Sequence, residues 1–130
     1  MKSIIIKDKT ATGQLLQEIE IEVADEVTTV EEIIRARVRS EVETYNNKLP
    51  EHFRGLVQPS ATEKTLNGFK MKKARPIDVE KQTYIALDAF QKNAYFLLVD
   101  DLQVESLSQE VLLNDDTTLS FIKLTQLVGG

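Results

Sequence analysis

The residues of this sequence best suited to chemistry are the last two, Gly129 and Gly130. An α-carboxyl group has a pKa of about 3.3–3.7, so at neutral pH it is ionised, a poor electrophile but a competent nucleophile towards phosphorus. Its activation must therefore come from another molecule. Two residues without Cβ atoms can pass through a narrow channel. At an average glycine usage of about 7%, such a pair ends about 0.5% of chains by chance, so it needs support from the preceding elements.

Other candidate catalytic or metal-binding residues have simpler interpretations. His52 is the only histidine, and in a sequence without cysteine it has no partners for a zinc site, so we expect a surface imidazole. Asp100-Asp101 and Asp115-Asp116 could act as metal ligands or acid/base groups, but both pairs lie where turns are expected. No phosphate-binding glycine motif or nucleophile elbow occurs. We therefore expect neither an enzyme nor a metal site, and any thiol must belong to another protein.

Composition limits the remaining classes. With 130 residues, 42% of them hydrophobic, residues 1–130 are predicted to form a single domain with one core. The net charge of −5 argues against a nucleic-acid binder held by phosphate contacts. No segment approaches the about 20 apolar residues of a membrane span, and Ile4-Ile5-Ile6 is too short for a signal-peptide core. We expect a cytoplasmic protein.

The first third of the chain predicts a hairpin followed by a helix. The run Ile4-Ile5-Ile6 and the alternating residues 18–23 flank turn-like residues that include Gly13. Thr29 can cap a helix that runs to about Asn47, with Glu32 completing a capping box. Its apolar residues form one stripe that we expect to be buried: Val30, Ile33, Ile34, Val38, Val42 and Tyr45. Its four-spaced charged row is expected to be solvated rather than a partner contact: Glu31, Arg35, Arg39 and Glu43.

Between about residues 48 and 93 the chain makes a long excursion. Prolines and glycines interrupt residues 48–76, whose local structure the sequence does not assign. A second helix is predicted from about Asp78, its cap, to Lys92. Its apolar face comprises Val79, Ala86, Leu87 and Phe90.

The last third is rich in predicted strands. Residues 95–99 are strongly β-prone and stop at Asp100-Asp101, after which residues 102–104 resume as a short strand. Residues from 117 to about 125 are predicted to form the final strand, followed by a flexible tail at about 125–130. The order of hairpin, helix, insertion and strands predicts an α+β fold.

Residues 96–108 (FLLVDDLQVESLS), residues 118–122 (TLSFI) and the end Leu127-Val128-Gly129-Gly130 together resemble the C-terminal half of ubiquitin. In the ubiquitin family a strand, a tight turn, a short strand, a leucine-anchored helical turn and a last strand lead into a tail that closes on two glycines. Each part occurs here in that order. The resemblance covers about residues 1–47 and 94–130. It implies a ubiquitin-like β-grasp fold, a mixed sheet of four to five strands packed on a helix, with an insertion at about 48–93 that carries the second helix.

The resemblance implies a divergent, prokaryotic ubiquitin-like protein modifier. In the family mechanism the Gly130 carboxylate attacks the α-phosphate of ATP, and the acyl-adenylate passes to an enzyme thiol or hydroxyl and then to a target amine. The activation and conjugation tail would comprise Leu127, Val128, Gly129 and Gly130. The implied partners are an activating enzyme, a conjugating enzyme, a JAB-type deconjugating protease and target proteins. This chain would hold no cofactor, because the activating enzyme uses the ATP, and would bind neither nucleic acid nor membrane.

Ubiquitin-family domains use the outward face of the sheet as a docking patch. Carried over by strand position, Leu98 and Ile122 would be outward-facing apolar residues flanking Ser120. A further set would face the core or its rim: Leu97, Val99, Val104, Leu107, Leu119 and Phe121. The alternative is that the insertion covers Leu98 and Ile122, since an exposed apolar patch requires an explanation.

Two other functions are compatible with the same residues. One is a sulfur carrier, in which the adenylated tail becomes a thiocarboxylate, although such carriers are usually shorter and lack a long insertion. The other is a non-conjugated interaction or self-assembly module whose tail is inert.

Overall fold

The structure, a computed structural model, describes residues 2–49, 52–59, 62–65, 68–71 and 76–124. These residues form two helices and ten strands, in chain order β1 (Lys2–Thr10), β2 (Leu15–Val23), β3 (Val27–Thr29), α1 (Val30–Lys48), β4 (His52–Phe53), β5 (Thr62–Thr65), β6 (Gly68–Met71), α2 (Val79–Gln91), β7 (Tyr95–Val99), β8 (Leu102–Gln103), β9 (Glu110–Leu112) and β10 (Leu119–Lys123). Within the described ranges, neither helix combines the length and apolarity needed to cross a membrane.

The main sheet has five strands in the order β2-β1-β10-β7-β8. Strands β1 and β10 run parallel, with Ile6 opposite Leu119, and the other neighbours are antiparallel. The sheet is therefore mixed. The predicted hairpin is confirmed as β1 and β2, and Gly13 in its turn has a φ of 92°, which a residue with a Cβ atom rarely adopts.

Helix α1 packs against the inner face of this sheet, which makes the fold α+β as predicted. Thr29 Oγ1 accepts a hydrogen bond from Glu32 N at 3.2 Å, so the predicted N-cap is confirmed. The helix ends where Leu49 takes a left-handed conformation and donates its N–H to Tyr45 O. All six residues of the predicted apolar stripe are buried. The opposite charged row is half-buried at Glu31 and otherwise exposed.

The insertion is folded onto α1 rather than left as an irregular excursion. Strands β4, β6 and β5 form a three-stranded sheet, in that order, which the sequence did not predict. Helix α2 has the predicted cap, since Asp78 Oδ1 accepts from Glu80 N and Lys81 N. Its neighbour Ile77 exchanges two hydrogen bonds with the side-chain amide of Asn46 on α1. The insertion contributes several apolar residues to the common core: Phe53, Leu56, Val57, Ile77, Ala86 and Phe90.

A separate two-stranded sheet of β3 and β9 lies beside the start of α1. Its antiparallel pairing places Val27 opposite Leu112. Backbone carbonyls of Leu107 and Gln109 accept from the first N–H groups of the helix, at Glu31 and Val30. These bonds satisfy helix donors that have no partner within the helix.

Candidate functional site

The structure brings together the three residues expected to form a docking patch. Leu98 and Ser120 lie directly opposite each other on β7 and β10, and Ile122 follows Ser120 by two positions on β10. Side chains alternate between the faces of a strand. Because Phe121 faces Arg37 of α1 at 4.6 Å from ring centroid to guanidinium carbon, Ser120 and Ile122 point to the face away from α1. Leu98 and Ile122 are half-buried, and Ser120 is 4% exposed.

Four further residues extend this outer face. Phe96 lies opposite Ile122, and Lys9 and Lys7 of β1 lie beside Ile122 and Ser120. Ile5, two residues before Lys7 on the same strand, is 56% exposed. Phe96 was not among the predicted patch residues, although its two-residue spacing from Leu98 was a signal for it. The outer face therefore combines apolar side chains of β7, β10 and β1 with two lysines of β1.

The described part of the insertion contacts the other side of the sheet. Lys123, which shares a face with Phe121, donates from Nζ to Gly55 O at 3.1 Å. Tyr95, also on the inner face, donates from its hydroxyl to Ala86 O of α2 at 2.7 Å. The predicted core residues of the last third lie on this inner side: Leu97, Val104, Leu119 and Phe121 are buried, and Val99 and Leu107 are half-buried against them.

The predicted activation and conjugation tail, Leu127, Val128, Gly129 and Gly130, lies outside the described residues. Strand β10 ends at Lys123, one position after the patch residue Ile122. The described chain continues one residue further, to the exposed Leu124.

The acidic pairs occupy turns, as expected. Asp100 and Asp101 have φ values of 50° and 67° and join β7 to β8, with Val99 opposite Leu102. Asp115 and Asp116 lie in an exposed turn before β10. His52 is half-buried on β4, and the described residues include no group of three or more histidine, cysteine, aspartate or glutamate side chains that could hold a metal ion.

A second cluster is buried between α1 and β1 and was not predicted from the sequence. Both oxygens of Asp8 accept from the guanidinium of Arg37, with Nη2 to Oδ2 at 2.6 Å, and Gln17 Nε2 donates to Oδ2 at 2.8 Å. Arg37 Nε donates to Glu41 Oε1 at 2.8 Å. Asp8 and Arg37 are fully buried, and Glu41 is 9% exposed. Two acidic groups thus share one guanidinium away from water.

The charges of this cluster are mutually dependent. Burial lowers the pKa of Arg37, but Glu41 and Asp8 more than offset this effect, and the pKa of Arg37 lies above its ordinary value. Burial raises the pKa of Glu41, and Arg37 only partly opposes the rise. Glu41 Oε2 is buried with no hydrogen-bond partner. An unpaired buried acceptor costs about 1–3 kcal/mol, and more when it is charged. The surroundings of Glu41 therefore favour its neutral, protonated form.

Comparisons of this chain with models of known protein families, with curated proteins and with solved structures found no match.

Proposed function

We propose that this chain is a ubiquitin-like protein modifier with a β-grasp fold, transferred to target proteins through the carboxylate of Gly130. The observation that carries the proposal is the position of the final strand. Strand β10 lies parallel to β1, between β1 and β7, while the hairpin precedes α1 and the sheet packs on that helix. This strand order supports a β-grasp fold, in which the last strand would lead into a C-terminal tail.

The distance available to the tail supports the same function. Residues 124–130 follow β10, and seven residues in full extension span at most about 25 Å. A partner bound to the outer face near Ile122 would therefore be within reach of Gly130. Burial of Leu98, Phe96 and Ile122 against a partner would supply binding energy. Because the two glycines lack Cβ atoms, the tail could enter a narrow active site of that partner.

The chemistry requires partners at each step. An activating enzyme presents ATP, the Gly130 carboxylate oxygen forms a bond to the α-phosphorus, and pyrophosphate leaves. A partner thiol or hydroxyl then attacks the acyl carbon and releases AMP, and a target amine displaces that group to form an amide. This chain contributes the acyl group and the docking surface, and a JAB-type protease would reverse the linkage.

The proposal is tested by expressing the chain with an N-terminal tag in its native cell and capturing it under denaturing conditions. Covalent species heavier than the free chain are expected, and they should vanish when Gly129 and Gly130 are deleted. A free chain carrying one sulfur in place of one oxygen would instead identify a sulfur carrier. An unmodified chain whose cellular activity survives the deletion would identify a non-conjugated module.

A further inference from the structure

A segment of the insertion lies directly over the unpaired oxygen of Glu41. Gly55 is buried there, and a Cβ atom added to it would stand 2.7 Å from Glu41 Oε2 and overlap the ring of Phe53. That ring packs edge-on against Tyr45, one turn further along α1, with centroids 5.6 Å apart. On the opposite side, Lys123 of β10 holds the carbonyl of Gly55. The segment is therefore attached to both the helix and the last strand.

Closure of this segment affects the two protonation states of Glu41 differently. Arg37 reaches only Oε1, and Oε2 receives no hydrogen bond in exchange for the water it loses. A carboxylate loses far more hydration energy on burial than a neutral carboxylic acid does. The closed segment therefore favours the acid, whereas an open segment would admit water to Oε2 and favour the carboxylate.

We infer that residues 53–57 form a proton-sensitive latch, closed over Glu41 when its side chain is protonated and opening when the proton is lost. Opening would expose the Phe53 ring and release the Gly55 carbonyl from Lys123. The device would thus couple pH to the contact between the insertion and the strand that leads towards residues 125–130. It does not depend on whether Gly130 is conjugated.

Among the residues that the structure describes, four other ionisable groups face Glu41: Arg37 on α1, Asp8 on β1, Lys123 on β10 and Tyr95 on β7. The guanidinium of Arg37 stays charged throughout the accessible range. Burial raises the pKa of Tyr95 further above its ordinary value, so the phenol stays neutral. Asp8 has hydrogen-bond donors on both oxygens, whereas Glu41 has a donor on one only.

The sign of the effect follows from the direction of the Glu41 shift. Burial raises the pKa of Glu41 in the closed form above the value it has when solvated. Closure is therefore most favourable at low pH, and its advantage is lost as the pH rises through the closed-state pKa. Because a single proton is involved, the ratio of open to closed forms can rise at most tenfold per pH unit.

Amide hydrogen exchange of residues 53–57 in the full chain, corrected for intrinsic exchange and followed from about pH 5 to pH 8, tests this inference. We expect opening to increase with pH by up to tenfold per unit in the wild-type protein. Glu41→Gln keeps an acceptor for Arg37 but cannot ionise, and its opening should be independent of pH. Glu43→Gln, at an exposed position on the same helix, should behave like the wild type.

A second variant guards against an indirect effect of Glu41→Gln on folding. Gly55→Ala places a methyl group against Phe53 and Oε2, so it should hold the segment open and raise exchange at every pH while the rest of the sheet stays protected. Opening that does not vary with pH in the wild type, or an equal pH dependence in Glu41→Gln, would overturn the inference. So would full protection of residues 53–57 in Gly55→Ala.

Discussion

Replacing Arg37 by leucine should be among the most destabilising single changes in the core. The substitution removes the cation that donates hydrogen bonds to both Asp8 and Glu41, and among the described residues it leaves Asp8 with the hydrogen bond from the Gln17 amide. Removing one partner of a buried ion pair typically costs about 3–5 kcal/mol, because the remaining charge is buried without compensation. A domain of this size has a total stability of about 5–15 kcal/mol. The variant should therefore fold only marginally.

Urea unfolding measured by circular dichroism gives the test. With a slope of about 2 kcal/mol per molar urea, the midpoint of Arg37→Leu should fall by about 2 M relative to the wild type. Arg35→Leu is the matched control, because Arg35 pairs with Glu31 at 2.9 Å on the partly exposed face of the same helix. Such a pair contributes about 0.3–0.5 kcal/mol, so this midpoint should move little.

The triple variant Asp8→Leu, Arg37→Met and Glu41→Leu separates two explanations. If the loss in Arg37→Leu comes from stranded charges, an apolar replacement of the whole cluster should recover most of the stability. A midpoint for Arg37→Leu close to that of Arg35→Leu would refute the reasoning, because the cluster would then contribute no more than a surface pair. Failure of the triple variant to recover stability would show that the loss comes from packing around Phe121.

Four further outcomes are expected. The stability difference between wild type and Glu41→Gln should shift in favour of the wild type as the pH falls, because the raised pKa of Glu41 stabilises the fold below that pKa; urea midpoints measured across pH test this. Thr29→Ala should lower the free energy of unfolding by about 1 kcal/mol through loss of the α1 cap, measured by urea unfolding. Leu98→Ser with Ile122→Ser should reduce conjugate formation in cells while thermal unfolding stays cooperative. Gly130→Ala should reduce conjugates without changing the melting temperature.

Local sequence signals predicted the elements that depend on local interactions. Thr29 and Asp78 cap their helices as predicted because capping needs only the next two or three N–H groups. The Asp100-Asp101 turn was equally predictable, since it is a two-residue connection between strands. The five-stranded sheet lay within the expected four to five strands.

Elements that depend on distant pairing were not predicted. Strands β3 and β9 are three residues each and pair across about eighty positions, so neither shows a periodic pattern of its own. Strand β4 also shows no pattern of its own, because it has only two residues and exists through its pairing with β6. Short strands of this kind exist because tertiary packing brings them together.

The buried charged cluster shows a different limit. Arg37 and Glu41 are four residues apart, a spacing typical of solvated pairs on a helix surface. Their burial depends on Asp8, which lies 29 positions from Arg37 in the sequence. The two side chains meet only when β1 packs against α1. The sequence did carry a signal for the burial of Asp8. Asp8 lies two positions after the core residue Ile6, so both side chains point to the same face of β1. The outer-face residue Phe96 could be found in the same way from its spacing to Leu98.

The most direct test of the proposed function is the identification of the covalent linkage itself. Lys123 is the last basic residue, so trypsin cleaves after it and leaves residues 124–130, Leu-Thr-Gln-Leu-Val-Gly-Gly, on any modified lysine. Mass spectrometry of digests from the native cell should find target peptides that carry this remnant through Gly130, and none from cells expressing the chain without its final two glycines. A chain recovered only with an unlinked Gly130 carboxylate, in cells where it is active, would contradict the proposal.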